Sequence, residues 1–435
     1  MELQLPRGMR DFTPAEKLLR NSVVDTLRST FERYGFNPLE TPVVERWEVL
    51  SAKYGGGAEI LKETYRFQDQ GQRELGLRYD LTTPLARFVG MNPSIKKPFK
   101  RYHIGTVYRD GPLKKGRYRE FYQCDVDTVG APAGRADAEC ILLALDVFKQ
   151  LNLKVEIRVN DRGLLLALAE TVLGAEDERA IDFVLSLDKL EKIGQAGVSQ
   201  ELVEKGFSTQ HVANIFAVLD VDGSNQNKLK QLQNVSKFPT LSGGWSECLG
   251  ALFDILGDDE RVRFVPTLAR GLGYYTGTVF EVFMADASFD GSLAAGGRYD
   301  GLISDFLGTK EIIPAVGISF GLEPILELLK ERQGVENLKK STVQVYVIPI
   351  QTADACWAYL SRLRAGGLHA DIDLVGRGPS ANFKYANAYG IPYALVVGPE
   401  ELKANVVTLK NMQSGEEERL PFEQALEKLS SALRM

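Results

Sequence analysis

Residues 101–130 read RYHIGTVYRDGPLKKGRYREFYQCDVDTVG, and the fold is decided there. Two apolar, β-rich runs, 103–108 and 121–129, flank a loop holding Gly111, Pro112 and Gly116. Strand-forming runs separated by glycine and proline predict an antiparallel hairpin. Arg109 ends the first strand, and Lys114, Lys115, Arg117 and Arg119 crowd the loop. On the return strand Gln123, Asp125 and Asp127 recur at period two, so their side chains share one face. The hairpin is cationic at one end and acidic at the other. Guanidinium forks match phosphate oxygens bidentately, which suits Arg109 and the loop cations to a polyphosphate or a nucleic-acid end. Gln123 and Asp127 suit a polar, partly cationic small molecule. A hairpin whose charges only face water has the same composition, so the order of residues has to decide.

That order is specific. Gly116 to Gln123, GRYREFYQ, stands unbroken and resembles motif 2 of the class II aminoacyl-tRNA synthetases in its histidyl form. There an arginine ending one strand precedes a variable loop and then this string. The resemblance implies an α+β chain with an antiparallel-sheet catalytic domain. It also implies that Arg109 is catalytic and binds ATP, that Arg117 and Arg119 bind ATP, and that Gln123 and Asp127 bind histidine.

Composition agrees with an enzyme of that size. A chain of 435 residues exceeds the capacity of one core, so two or three domains are expected. With 44% hydrophobic and 25% charged residues it has the profile of a soluble globular protein. The start, MELQLPRGMRDF, has no basic segment leading into an apolar one, and no run of about 18 apolar residues occurs. A cytoplasmic, non-membrane protein is expected. Cys124, Cys140, Cys248 and Cys356 are far apart, as are His103, His211 and His369, so neither a zinc cluster nor a disulfide framework is expected. A net charge of −6 disfavours non-specific binding of duplex DNA and leaves any nucleic-acid contact to local basic patches.

From the start of the chain, Thr13, Pro14 and Glu16 spell a helix N-terminus: a good cap, a residue suited to the first turn, and the partner of a capping box. Leu19, Val23, Leu27 and Phe31 give that helix one apolar face, and Gly35 ends it. Residues 36–45, with Pro38 and Pro42, read as extended. A long helix feeding a proline-bearing strand resembles motif 1, which implies a homodimer. In LRYDLTTPLARFV, residues 77–89, Asp80 and Thr82 are two apart on what reads as one strand face, before Pro84 opens a helix. Such a pair caps a helix or binds an ammonium group. RYDLT resembles the amino-acid-binding string of archaeal and eukaryotic histidyl enzymes, which implies that Asp80, Leu81 and Thr82 contact histidine.

Residues 135–150 are helical by period and 153–159 alternate as a strand. The polar block at about 164–256 resembles the helical insertion of the histidyl enzymes. Residues 268–284, LARGLGYYTGTVFEVFM, end in a strand apolar on both faces and therefore central in a sheet. Their GxGxxxG spacing is not a dinucleotide fingerprint, because a strand follows where that fingerprint needs a helix. The stretch resembles the histidyl-specific RGLDYYTG, which implies Arg270 at the reacting carboxylate and phosphate and Tyr274 and Tyr275 around the imidazole. Gly273 stands where the family carries Asp. LAAGGRYDGLI, residues 293–303, resembles the companion motif with a tight turn at Gly296 and Gly297. AVGISFGLEPIL, residues 315–326, resembles motif 3, with Pro324 where an arginine is usual.

Beyond a linker, residues 331–341, the strands expected at 343–348, 369–375, 393–397 and 406–409 and the helices at 352–364, 381–389 and 422–433 make an α/β domain. It resembles the class II anticodon-binding domain, and FKYA implies that Lys384 faces tRNA. We therefore expect a catalytic domain at 1–330 and an anticodon-binding domain at 342–435. The implied function is a histidine–tRNA ligase using ATP and Mg²⁺, with tRNA(His) as partner. The alternative is a histidine-binding synthetase-like paralogue, a regulatory subunit or a ligase for a different acceptor. Regulatory relatives typically lack the C-terminal domain and the catalytic arginine, and both appear here.

Overall fold

The computed structural model describes residues 2–51, 61–113, 116–173, 178–234, 244–269 and 275–433. The chain divides into two compact units, one made of the segment up to Arg10 with Val23–Leu329, the other of Asp11–Ser22 with Lys330 onward. No helix among the described residues is long and apolar enough to cross a membrane.

In the first unit β1 (Asn37–Pro38) opens an eight-stranded sheet, while β2 (Val44–Arg46), β3 (Arg66–Gln68) and β4 (Glu74–Leu77) form a separate small one. The expected hairpin is present and longer than its apolar runs: β5 (Phe99–Tyr108) pairs antiparallel with β6 (Glu120–Val129). The large sheet continues through β7 (Val155–Asp161), β8 (Val262–Phe264), β9 (Thr278–Met284), β10 (Ala294–Arg298) and β11 (Ala315–Gly321). Its spatial order is β1-β5-β6-β11-β10-β9-β7-β8, so β9 is central, as its two apolar faces require. The registers position the chemistry. Asp127, Asp125 and Gln123 stand opposite Arg101, His103 and Gly105 on β5 and opposite Gly317, Ser319 and Gly321 on β11. Because paired residues project to the same side of a sheet, three rows of polar or minimal side chains share one face.

The other face is apolar and covered by helices. Phe320, one residue out of phase with Ser319, stacks its ring 5.5 Å from Phe31 and 5.8 Å from Phe148. These belong to the helices Pro14–Arg33 and Arg135–Gln150, and all three rings are fully buried. Burying one such side chain contributes about 1.5–3 kcal/mol, so the helices fix the back of the sheet and leave the polar face open. The first helix begins as its capping box predicts, Thr13 N–H donating to Glu16 and Glu16 N–H to Thr13 Oγ1. It ends at Gly35, whose φ of +78° lets Phe36 N–H return to Phe31 O.

Two expectations about local structure are corrected. Asp80 and Thr82 do not lie on a strand: β4 ends at Leu77, and Thr82 opens the helix Thr82–Met91. Asp80 Oδ1 accepts the Thr83 N–H at 2.9 Å, which satisfies one of the first-turn donors a helix leaves unpaired. Gly296 and Gly297 form no turn but lie inside β10, because a side chain has no room there. A Cβ on Gly296 would stand 2.2 Å from Gly317 O, and one on Gly297 2.7 Å from Thr278 O.

In the polar block, helices run over Arg162–Leu173, Glu178–Leu187, Leu190–Glu204, Thr209–Leu219, Asn225–Gln233 and Gly244–Leu256. The second unit carries β12 (Val345–Pro349), β13 (Ala370–Ile372), β14 (Tyr393–Val397), β15 (Val407–Asn411) and β16 (Glu417–Leu420) in the order β13-β12-β14-β15-β16. The alternation along β12 sends Val345 and Val347 to one core, with Leu360 and Phe422, and Tyr346 and Ile348 to another, with Ala386 and Ile391. Exposed β16 and the short helix Pro399–Ala404 went unread in the sequence, since both are too polar to show a period. The stretch read as a linker begins with the end of the helix Leu322–Gln333 and a 3-10 turn, Val335–Asn337.

Candidate active site

A cavity of about 500 Å³ opens on the polar face of the large sheet. The hairpin supplies Arg109, Arg117, Gln123, Asp125 and Asp127 to its wall, and the segment entering the helix Thr82–Met91 supplies Tyr79, Asp80 and Thr82. Glu63, Tyr275, Tyr299 and Ser319 complete the polar lining. Glycines make the space: a Cβ on Gly317 would stand 2.1 Å from Asp127 Oδ1.

The acidic end is buried and ordered. Asp127, 3% exposed, is 2.7 Å from Nη2 of the fully buried Arg101 and accepts a hydrogen bond from the Tyr299 hydroxyl. Arg101 also donates to Leu81 O at 3.2 Å. The Leu81 side chain is fully buried and off the cavity wall, and its carbonyl meets Arg101. Gln123 Nε2 donates to Ser319 Oγ at 3.1 Å, which leaves Gln123 Oε1 without a partner. Burial raises the carboxyls of Asp80 and Asp127 above the usual range, opposed at Asp80 by bonds from Thr83 and at Asp127 by Arg101 and Tyr299. Asp125 is pushed up to about 7, first by burial and further by Asp127 and Asp80, against the pull of Arg101 and a hydrogen bond from Ser319. Opposite it, burial together with Arg101 and Arg78 pushes His103 down to about 3, so its imidazole is neutral at pH 7.

At the other end Arg109 follows the last residue of β5. Its Nε donates to Tyr79 O at 3.0 Å and its guanidinium lies 5.2 Å from the Phe121 ring centre. Arg117 is exposed and 3.8 Å from Glu63, a loose pair that a phosphate can displace. Arg119 does not join them. It is tied to Asp110 at 2.7 Å and to Gly111 O, and it shapes the loop without lining the cavity.

Of the other residues singled out in the sequence, Tyr275 lines the cavity, while Arg270 and Tyr274 lie outside the described residues. The chain on either side of them is held from the end of β7. Asn160 Nδ2 donates to Pro266 O and Leu268 O, and Arg162 N–H to Gly277 O. Glu323 is buried with its carboxylate 3.3 Å from Tyr122 N–H, and Pro324 sits in the first turn of its helix against Gly321, off the cavity wall. Proline costs no hydrogen bond there, since first-turn N–H groups have no intrahelical acceptor. Lys384 is exposed on the helix Pro379–Ala388 of the second unit. Among the described residues no cluster of three His, Cys, Asp or Glu side chains is placed to hold a metal ion.

Arg101 and Tyr299 carry no role in the sequence reading. Register would have revealed Arg101, since folding the hairpin places it opposite Asp127. Tyr299 stands in the companion motif LAAGGRYDGLI, but nothing local shows that it reaches Asp127 from 172 residues away.

Residues 8–325 match the family model described as histidyl-tRNA synthetase, and 344–432 match that of the anticodon binding domain. The chain belongs to the histidyl-tRNA synthetase family. The curated histidine–tRNA ligase 1 of Bacillus cereus is 43% identical, over 97% of this chain and 98% of its own. The histidine–tRNA ligase of Aeropyrum pernix is 41% identical over 98% of each. Among solved structures the histidyl-tRNA synthetase from Nostoc sp. PCC 7120 superposes with a TM-score of 0.85 at 30% identity, covering 100% of both chains. The hairpin with its two chemical ends is thus the motif 2 of this family, carried on its α+β fold with a catalytic sheet and a C-terminal anticodon-binding domain.

Proposed function

We propose that the cavity makes histidyl-adenylate and passes the histidyl group to tRNA(His). The chain is a histidine–tRNA ligase, an ATP-dependent aminoacyl-tRNA ligase. One observation carries the assignment of sites: the two ends of one hairpin present cations and acceptors to the same cavity. ATP phosphates suit Arg109 and Arg117. The imidazole suits Gln123, Asp127 and the tyrosines Tyr274 and Tyr275, and the α-ammonium suits Asp80 and Thr82, with Leu81 acting through Arg101.

A carboxylate oxygen of histidine attacks the α-phosphorus, forming the mixed anhydride as pyrophosphate leaves. A ribose hydroxyl at the tRNA 3′ end then attacks the carbonyl carbon and AMP departs. No side chain becomes covalent. Arg109 and Arg270 supply positioning and neutralise charge as it spreads over the α-phosphate oxygens. Mg²⁺ would be carried on the ATP phosphates, the mode it favours over an all-protein cage, and would add to the charge neutralisation that Arg109 and Arg270 supply. Acceptors that hydrogen-bond the imidazole are left unpaired by an apolar substitute, which supports discrimination of ~10⁴ or more without editing.

We divide the chain into a catalytic domain at 1–330, with a helical insertion at about 164–256, a linker at 331–341 and an anticodon-binding domain at 342–435; that the two family matches end and begin at 325 and 344 supports a division between them. Lys384 faces tRNA in this scheme, no DNA is bound, and the reaction is cytoplasmic, where its tRNA acceptor is used. Pyrophosphate exchange that depends on histidine, followed by charging of tRNA(His), is the expected result. Histidine binding without exchange would favour the regulatory paralogue, and exchange without tRNA charging a different acceptor.

The likeness of the helix from Thr13 to Tyr34 and the strand after it to motif 1 supports a homodimer whose interface includes them. Light scattering at micromolar concentration should return twice the chain mass of 48.2 kDa, and a monomer there would remove the assignment.

A further inference from the structure

Asp125 stands between the two acceptors assigned to histidine and has no role in that scheme. It lines the cavity, is 4% exposed, and its Oδ1 has no hydrogen-bond partner. Its surroundings are lopsided in charge. From β5 it faces Arg101 and the neutral His103, with Arg78 beyond; from β6, Asp127 and Gln123; from β11, the Ser319 hydroxyl; and across the cavity, Asp80. The nearer cations bond other groups, although Nε and Nη1 of Arg101 have no hydrogen-bond partner and its charge still reaches Asp125. Arg101 is 2.7 Å from Asp127, Arg78 donates to the carbonyls of Thr41 and Thr106, and Arg109 lies in the field of Asp80. Among the described residues Asp125 has no ion pair. A buried carboxylate without a cation is costly, and burial lifts the Asp125 carboxyl to about 7, so it is only partly ionised near neutral pH.

We propose that Asp125 is a third carboxylate of the amino-acid subsite, which receives the substrate α-ammonium group together with Asp80 and releases a proton to solvent as it does so. The inference rests on the reading that the cavity binds histidine. The ammonium group brings three N–H donors, while Asp80 already spends one oxygen on Thr83 N–H. The Ser319 hydroxyl bonds the Asp125 carboxyl, but its Oδ1 has no partner and supplies the missing acceptor, and the entering positive charge stabilises the ionised form. A neutral imidazole in that place would take the proton over, and none would be released.

The test is calorimetric titration of the full-length enzyme with histidine in buffers of different ionisation enthalpy. A group titrating near 7 is ~90% protonated at about pH 6 and mostly ionised at about pH 8.5. Wild-type enzyme should therefore release close to one proton per histidine at about pH 6 beyond the substrate's own titration, and little at about pH 8.5. Asp125→Asn should abolish that excess and weaken histidine binding by ~10–100-fold at about pH 8.5, as expected for loss of a charge-assisted bond. Its affinity for ATP should hold within about threefold, since the change removes nothing from the arginine end. An equal proton count in the two proteins, or unchanged histidine affinity, overturns the proposal. The wild-type count alone decides if the variant fails to fold, because absence of excess release refutes the idea without it. A wild-type enzyme that binds no histidine would instead refute the function assigned above.

Discussion

Arg109→Ala is expected to lower histidine-dependent pyrophosphate exchange by ~10²–10³-fold, the effect of removing one donor aimed at charge that develops in a transition state, roughly 2.7–4 kcal/mol. Arg109 follows the last hydrogen-bonded residue of β5, and its Nε bond to Tyr79 O fixes the direction of the guanidinium toward the cavity. The remaining nitrogens make a planar fork, which lysine cannot reproduce, so Arg109→Lys should recover only a small part of the activity. Histidine binding should weaken far less than exchange, because the acidic end of the cavity is built from other residues. The side chain is only half buried, so the fold should survive with a modest loss of stability. Exchange within a fewfold of wild type in the alanine variant would show that position 109 does not meet the phosphates.

The largest expected effect on stability belongs to Arg298→Met. Arg298, at the end of β10, is 2% exposed and bonds Asp137 through Nη2 at 2.6 Å and Nε at 3.1 Å, with Asp300 at 2.9 Å. It also donates to the carbonyls of Ala131 and Pro132, so one guanidinium ties β10 to the turn and helix that follow β6. Asp137 is fully buried and, among the described residues, accepts only the Gly134 N–H besides. Methionine fills a similar volume but leaves that carboxylate uncompensated, which costs about 3–5 kcal/mol. Urea unfolding of the first unit should shift its midpoint accordingly, while Arg298→Met combined with Asp137→Leu should regain much of the loss, since replacing both partners removes the stranded charge. A single-variant loss below about 1 kcal/mol would mean that water reaches the pair and solvates it.

Much of this site was legible because its parts are close in sequence or obey a short period. The hairpin follows from two apolar runs around a glycine-bearing loop, and the shared face of Gln123, Asp125 and Asp127 follows from the pleat. Thr13 and Glu16 announce a capping box that forms as read. Failures came where a local pattern has two solutions. Asp followed by Thr suits a strand face and a helix start equally, and the Thr83 N–H chose the second. A glycine pair suits a turn and a crowded strand equally, and contact with Gly317 and Thr278 chose the strand. Arg119 reads as one more phosphate ligand in a basic loop, until Asp110 and Gly111 claim it.

By itself, then, the order of residues determined the family, the hairpin and most elements of both units, because strand period, turn chemistry and helix caps are set by neighbours along the chain. Only the tertiary structure decided which acceptors are compensated. Asp127 has Arg101 as a direct ion pair by strand register and Tyr299 by a contact across 172 positions, whereas Asp125 feels Arg101 only at a distance and bonds the Ser319 hydroxyl. The difference in their surroundings is a matter of burial and of charges brought close in space, and in a low-dielectric cavity those terms outweigh anything that spacing along the chain encodes.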